Sequence, residues 1–163
     1  MNKYFFHRIQ KENGTFSKGI EVHDTLDSAK LAYLGRAKLA YGKTAVTFMS
    51  LKIKDGAGKI ARASDGSPYE MAWKAESETE NVFFLHHLRL DDETYDKNID
   101  PYDSEEIAKA DFASQMEYGF GNTKHPKVTY VSCCVTDMLS GGLELMDSTW
   151  EKATEPEPEP AAE

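Results

Sequence analysis

Residues 3–10, rich in aromatics, and 16–22 read as two strands, and the Asn13-Gly14 pair between them is a hairpin signal. The period then changes. Ala29, Tyr33, Ala37 and Tyr41 recur every four residues, which puts them on one face of a helix over 25–41. Alternation follows over 45–54, where Met49, Leu51 and Ile53 share one face and Val46, Phe48 and Ser50 the other. A short fourth strand is expected at 59–63.

The same order recurs. Residues 20–44 align without a gap on 99–123, with six of the 25 positions identical: Ile20/Ile99, Asp24/Asp103, Ala29/Ala108, Lys30/Lys109, Gly42/Gly121 and Thr44/Thr123. Chance would give roughly one or two. Upstream, Phe5-Phe6 aligns with Phe83-Phe84 after a one-residue gap. Downstream, after an insertion near Lys124-His125-Pro126, residues 46–50 align with 128–132, and Asp55 with Asp137. The second helix carries its stripe at Ala108, Phe112, Met116 and Phe120. The second copy of the third strand, 127–136, has Val131, Cys133 and Val135 on one face and Val128, Tyr130 and Ser132 on the other. A short strand is expected at 142–146. Asp24 with Asp27, and Asp103 with Glu106, have the spacing of a capping pair. Gly42 and Gly121 stand where left-handed C-terminal caps belong.

The expected fold class is therefore α+β, a tandem duplication of a ββαββ module, each an antiparallel sheet with one helix packed on one face. The expected divisions are a first module at 1–63, a linker at 64–80, a second module at 81–152 and a disordered acidic Glu/Pro tail at 153–163. Tyr69, Met71 and Trp73 would pin the linker to a module, and Trp73 and Trp150 would close the core. One helix covers one face of a sheet. The opposite face, with Phe48 and Tyr130, is expected to meet the sister module or a partner.

The 163 residues and 18.3 kDa suit one ordinary domain or two small ones. No run of ~20 apolar residues is present, which excludes a membrane-crossing helix. The start, MNKYFFHRIQKENG, has no apolar run of the secretory kind, so no leader is expected. The net charge of −9 argues against direct nucleic-acid binding. That charge is uneven: residues 1–79 carry 13 Lys+Arg and nine Asp+Glu, net +4, whereas 80–163 carry six and 19, net −13. An acidic second module could dock on a basic patch of another protein, with Glu105, Glu106, Asp111 and Glu117 on its helix as contacts, or the mildly basic first module could attract its own acidic sister, within the chain or between chains.

Candidate chemistry is sparse. His7, His23, His86, His87 and His125 form no metal-ligand spacing, and the adjacent His86 and His87 point to opposite faces of a strand. Cys133-Cys134 fits neither a disulfide framework nor a zinc site. Cys133 takes an inward position, and a nucleophilic role would need a base such as His87. Gly56-Ala57-Gly58-Lys59 lacks the Ser or Thr and the helix of a phosphate loop and reads as a turn. Asp91-Asp92-Glu93 with Asp96 and Asp100 lacks an EF-hand pattern and reads as a solvated turn. No catalytic residue, metal or cofactor is expected.

Lys18-Gly19-Ile20-Glu21-Val22, Asp24 and Leu39-Ala40-Tyr41-Gly42 resemble small uncharacterised proteins of Firmicutes phages and mobile elements, over about residues 3–60. The resemblance implies a phage or mobile-element accessory protein in a bacterial cytoplasm. The leading expectation is non-enzymatic binding of another macromolecule by the acidic module and by Phe48 and Tyr130. Its sharper form is an anti-CRISPR-like inhibitor that docks on a basic nucleic-acid-binding protein; no membrane association is expected. The alternatives are a phage structural or assembly protein, and a small-ligand module with its site in the cleft between the modules.

Overall fold

The computed structural model describes residues 2–40, 43, 45–120, 123–140 and 143–153. In the first module β1 (Tyr4–Glu12) and β2 (Thr15–His23) form a hairpin, α1 (Leu26–Ala40) follows, and β3 (Val46–Asp55) and β4 (Glu70–Lys74) complete the order β2-β1-β3-β4. The second repeats it: β5 (Phe83–Asp91), β6 (Thr94–Tyr102), α2 (Glu105–Glu117), β7 (Val128–Asp137) and β8 (Glu144–Glu151), in the order β6-β5-β7-β8. Both four-stranded sheets are antiparallel throughout, which is the expected α+β duplication.

The structural correspondence is more regular than the sequence alignment. His7 and His86, equivalent on β1 and β5, are 79 residues apart. That is also the spacing of the aligned helices, so Phe5 matches Phe84 and the upstream hairpin needs no gap. On β3 and β7 the spacing becomes 82, as between Lys52 and Cys134, which absorbs the insertion before β7.

Each helix covers one face of its own sheet. Ala29 and Tyr33 pack with Phe6, Met49, Leu51 and Ile53; Ala108, Phe112 and Met116 pack with Leu85, Val131, Cys133 and Val135. The uncovered faces pack on each other. Phe5, Ile9, Ile20 and Phe48 of one sheet share a core with Phe84, Leu88, Ile99 and Tyr130 of the other. The chain is thus four layers deep, helix, sheet, sheet, helix. Phe48 and Tyr130 are fully buried in the middle, so they are not contacts for an outside partner.

Several details depart from the sequence expectation. Val46 and Val128 lie on the helix side with Met49 and Val131. The register slips between Lys11 and Glu12 and again between Leu90 and Asp91, so Thr47 and Thr129 are bulged and the alternation flips there. The helices are capped one residue late. The Ser28 N–H donates to Thr25 Oγ1 at 3.1 Å, Ser104 stands at the N-cap position of α2 without a side-chain cap hydrogen bond, and Asp24 is taken by Lys3. The fourth strand of the first module is 70–74, inside the segment expected as a linker. Residues 59–63 make only isolated bridges, Lys54 to Ile60 and Arg62 to Pro68. Strand β8 runs to Glu151, beyond the expected 142–146. Trp73 and Trp150 sit at matching places on β4 and β8, opposite Met49 and Val131, and pack against the helix-side cores. Phe120 lies past the end of α2 and is 56% exposed, so it is not part of the stripe. Tyr41, Gly42, Gly121 and the tail from 154 lie outside the described residues.

The two hairpin turns show what duplication preserved. Asn13 and Gly14 have φ of 52° and 78°, the left-handed pair of a tight hairpin. Their counterparts Asp92 and Glu93 hold the same conformation at 51° and 72°. Glu93 therefore carries a Cβ where the backbone favours glycine. Glu93→Gly is expected to stabilise the fold by about 0.5–1 kcal/mol, raising Tm by ~2–3 °C in a thermal melt. Gly14→Glu should lower Tm by a similar amount.

Candidate functional site

The sheet-to-sheet layer is apolar at one end and polar at the other. At the apolar end, Phe5 stacks on Tyr130 with ring centroids 5.9 Å apart, and its counterpart Phe84 stacks on Phe48 at 6.0 Å. Phe5 meets Tyr95 edge-on at 5.8 Å, as Phe84 meets Phe16 at 5.3 Å. Both contacts come in pairs under the repeat, so the interface has approximate two-fold symmetry.

At the polar end stand His7, His86, Lys52, Lys54, Cys134 and Thr136, all buried. Alternation along β3 and β7 puts them there: Lys52 and Lys54 continue the face of Phe48 and Ser50, and Cys134 and Thr136 that of Tyr130 and Ser132. The Nδ1 atoms of His7 and His86 are 2.9 Å apart, so one ring donates and the other accepts. The Nε2 of His86 meets Thr136 Oγ1 at 3.0 Å. Burial, and then Lys52, hold both imidazoles well below their ordinary pKa, so the pair is neutral.

Glu144 of β8 reaches across the modules and accepts from Lys52 at 2.8 Å and Lys54 at 2.6 Å. Burial works against the Glu144 charge, but the two ammonium groups more than offset it and hold the carboxyl at about 2. Burial likewise opposes the charge on Lys54. Cys134, Glu144 and Asp147 outweigh it and leave that lysine raised. Sequence reasoning missed this cluster. Its one visible signal was a pair of lysines at inward spacing on a strand otherwise apolar on that face.

A cleft of about 580 Å³ opens beside Glu144, lined by Tyr4, Leu26, Lys59, Arg62 and Asp147 among others. Its wall includes the turn after β3. Asp55 Oδ1 accepts from the Ala57 and Lys59 N–H groups at 2.9 and 3.0 Å, so the Gly-Ala-Gly-Lys turn spends these donors on its own aspartate rather than on a phosphate. Gly58 has φ +83°, and a Cβ there would lie 2.1 Å from Thr149 Oγ1, so the turn fits closely on β8.

The other candidates are engaged within the fold. Burial pushes the Cys133 thiol up to about 12, which removes it as a nucleophile at neutral pH, and His87 Nε2 is 3.0 Å from Asp100. Asp96 pairs with Arg89 at 2.9 Å and Asp92 with Lys127 at 3.5 Å. On α2, Glu105 pairs with Lys109 at 2.6 Å and Asp111 accepts from the Tyr102 hydroxyl, whereas Glu106 and Glu117 are on the exposed side. The structure brings these four carboxylates onto one helix and separates them from Phe48 and Tyr130. No helix among the described residues is long and apolar enough to cross a membrane. Comparison with protein-family models, curated proteins and solved structures gives no match.

Two outcomes follow for the polar cluster. The folded pKa of His7 and of His86 is lowered, so below about pH 6.5 the unfolded chain takes up protons that the folded chain refuses. Stability in urea should then fall by up to ~1.4 kcal/mol per pH unit for each histidine. Glu144 adds to the loss from about pH 4.5 downward, toward its folded value of about 2. A flat profile from pH 7 to 5 would contradict a neutral pair. Separately, Glu144→Ala strands two buried lysines and should cost about 3–5 kcal/mol in the same urea assay.

Proposed function

We propose that the protein is a non-enzymatic binding protein whose acidic outer helix, α2, docks on a basic surface of another macromolecule. The observation that carries this reading is the charge of the outer layers. Helix α2 has Glu105, Glu106, Asp111 and Glu117 against Lys109, net −3, within a half-chain of net −13. Carboxylates arrayed along a helix present negative charge to a protein groove built for phosphates, and so compete with nucleic acid for it. In the phage or mobile-element setting that the sequence resembles, the partner is a nucleic-acid-binding protein of the bacterial host cytoplasm, and the outcome is inhibition of a defence nuclease.

A second reading rests on the cleft between the turn after β3 and strand β8. Its mixed lining of Lys59, Arg62, Glu144, Asp147, Tyr4 and Leu26 suits a small polar ligand with an apolar part.

The first reading is tested by capture from nuclease-treated host lysate. The expected result is a basic nucleic-acid-binding protein that is retained at low salt and released at high salt. Its recovery should fall at least ~10-fold with Glu106→Lys/Glu117→Lys, since like charge at a docking surface costs several kcal/mol. Unchanged recovery with that variant, or recovery of the bait alone, would overturn it.

A further inference from the structure

The two outer helices are equivalent by duplication but not by surface. On α1 the outward side carries Leu31, Leu34 and Leu39, which are 73%, 48% and 60% exposed. Among them lies Gly35, and a Cβ built on it would meet nothing within 4 Å. Glycine inside a helix is poorer than alanine by about 1 kcal/mol. Among the described residues nothing outside the helix's own backbone requires that glycine, and all three leucines stay exposed. The result is a shallow notch ringed by apolar side chains.

The positions 79 residues on are different. Leu31, Leu34, Gly35 and Lys38 become Ala110, Ala113, Ser114 and Glu117, all exposed. The α1 face projects leucines, whereas the α2 face has small side chains at 110, 113 and 114, with Ile107, 58% exposed, at its N-terminal end. Lys30, Arg36 and Lys38 against Asp27 give α1 a net charge of +2, opposite to the −3 of α2. Side-chain size and charge are both complementary between the two faces. The faces lie on opposite outer layers of the four-layer stack, so they cannot meet within one chain.

We propose that the α1 face of one copy docks on the α2 face of a second copy, joining copies head to tail. The contact is heterologous, so it propagates into a chain or closes into a ring rather than stopping at a symmetric dimer. Two helices of this length make a small interface, of the weak and transient class. The proposal rests on the reading of α2 as a docking surface and names its partner as another copy of the same chain.

The test uses two full-length variants with helix-forming substitutions at exposed sites, Leu31→Glu/Leu34→Glu and Ala110→Arg/Ala113→Arg. Circular dichroism confirms that each remains folded. Sedimentation is followed from micromolar to near-millimolar concentration. The wild-type protein is expected to grow beyond a dimer with concentration, and less so in high salt. Each variant alone should stay monomeric, while an equimolar mixture should give a one-to-one dimer and nothing larger. A wild-type monomer at every concentration overturns the proposal. So does a mixture that fails to pair, or an α2 variant that still assembles like the wild type. Capture of a basic host protein by α2 should survive the leucine changes, so failure of self-association and failure of the acidic-docking reading are read out separately.

Discussion

Each ββαββ sheet has one face that its own helix does not cover, and the burial of that face against its twin is the constraint on which the rest depends. A four-stranded sheet with Phe5, Ile9 and Phe48 on an open face would not be a stable soluble unit. The second module supplies Phe84, Leu88 and Tyr130 in nearly the same places. The approximate two-fold follows, because two copies of one surface pack best when related by such an axis. The close fit of Gly58 on Thr149 shows that even a turn of the first module is shaped by a strand of the second.

The layer's two ends contribute differently. Four aromatic contacts add ~0.5–1.5 kcal/mol each beyond their area. The ion cluster of Lys52, Lys54 and Glu144 is a poor source of net stability, since burying such charges consumes most of what their attraction returns. Breaking it, however, is expensive. The cluster therefore acts chiefly against wrong arrangements: a slip of one sheet on the other would leave two ammonium groups without their carboxylate. Here the symmetry is also broken. Lys52 and Lys54 face Cys134 and Thr136, not two more lysines, and four buried cations would have had no counterpart. The neutral His7–His86 pair keeps the symmetry because one imidazole can donate to another without any charge.

The duplication, the order of elements and the helix-side cores were legible in the sequence, because Ala29, Tyr33, Met49 and Leu51 obey the helix and strand periods. The failures were local. A gap placed in the first hairpin hid the match of Phe5 with Phe84 and of His7 with His86, and with it the pair at the centre of the interface. The bulges at Thr47 and Thr129 reverse the alternation for one residue, which no period can announce. Strand β4 is short and half polar, and its inward Met71 and Trp73 looked like pins on a linker. Of the candidate contacts, Glu105, Glu106, Asp111 and Glu117 came from charge, which sequence reports directly. Phe48 and Tyr130 were misjudged because a bare apolar face reads alike whether its cover is another protein or a second module.

Divergence after duplication is informative about where function resides. At the aromatic end and at the histidine pair, the residues that meet across the pseudo-two-fold changed little in kind: phenylalanine for phenylalanine, tyrosine for phenylalanine, histidine for histidine; only the lysines, matched by Cys134 and Thr136, changed in charge. The outward helix positions changed in size and in sign, from Leu31, Leu34 and Lys38 to Ala110, Ala113 and Glu117. Packing explains the first group, since each side chain there touches its counterpart's neighbours and cannot vary alone. It does not explain the second group, whose side chains are exposed on the outer layers. Drift would leave two ordinary solvated faces, yet one carries three exposed leucines around an unneeded glycine, a costly surface for a soluble helix. That surface is why the docking proposed above is placed on the outer layers and not on the buried polar cluster.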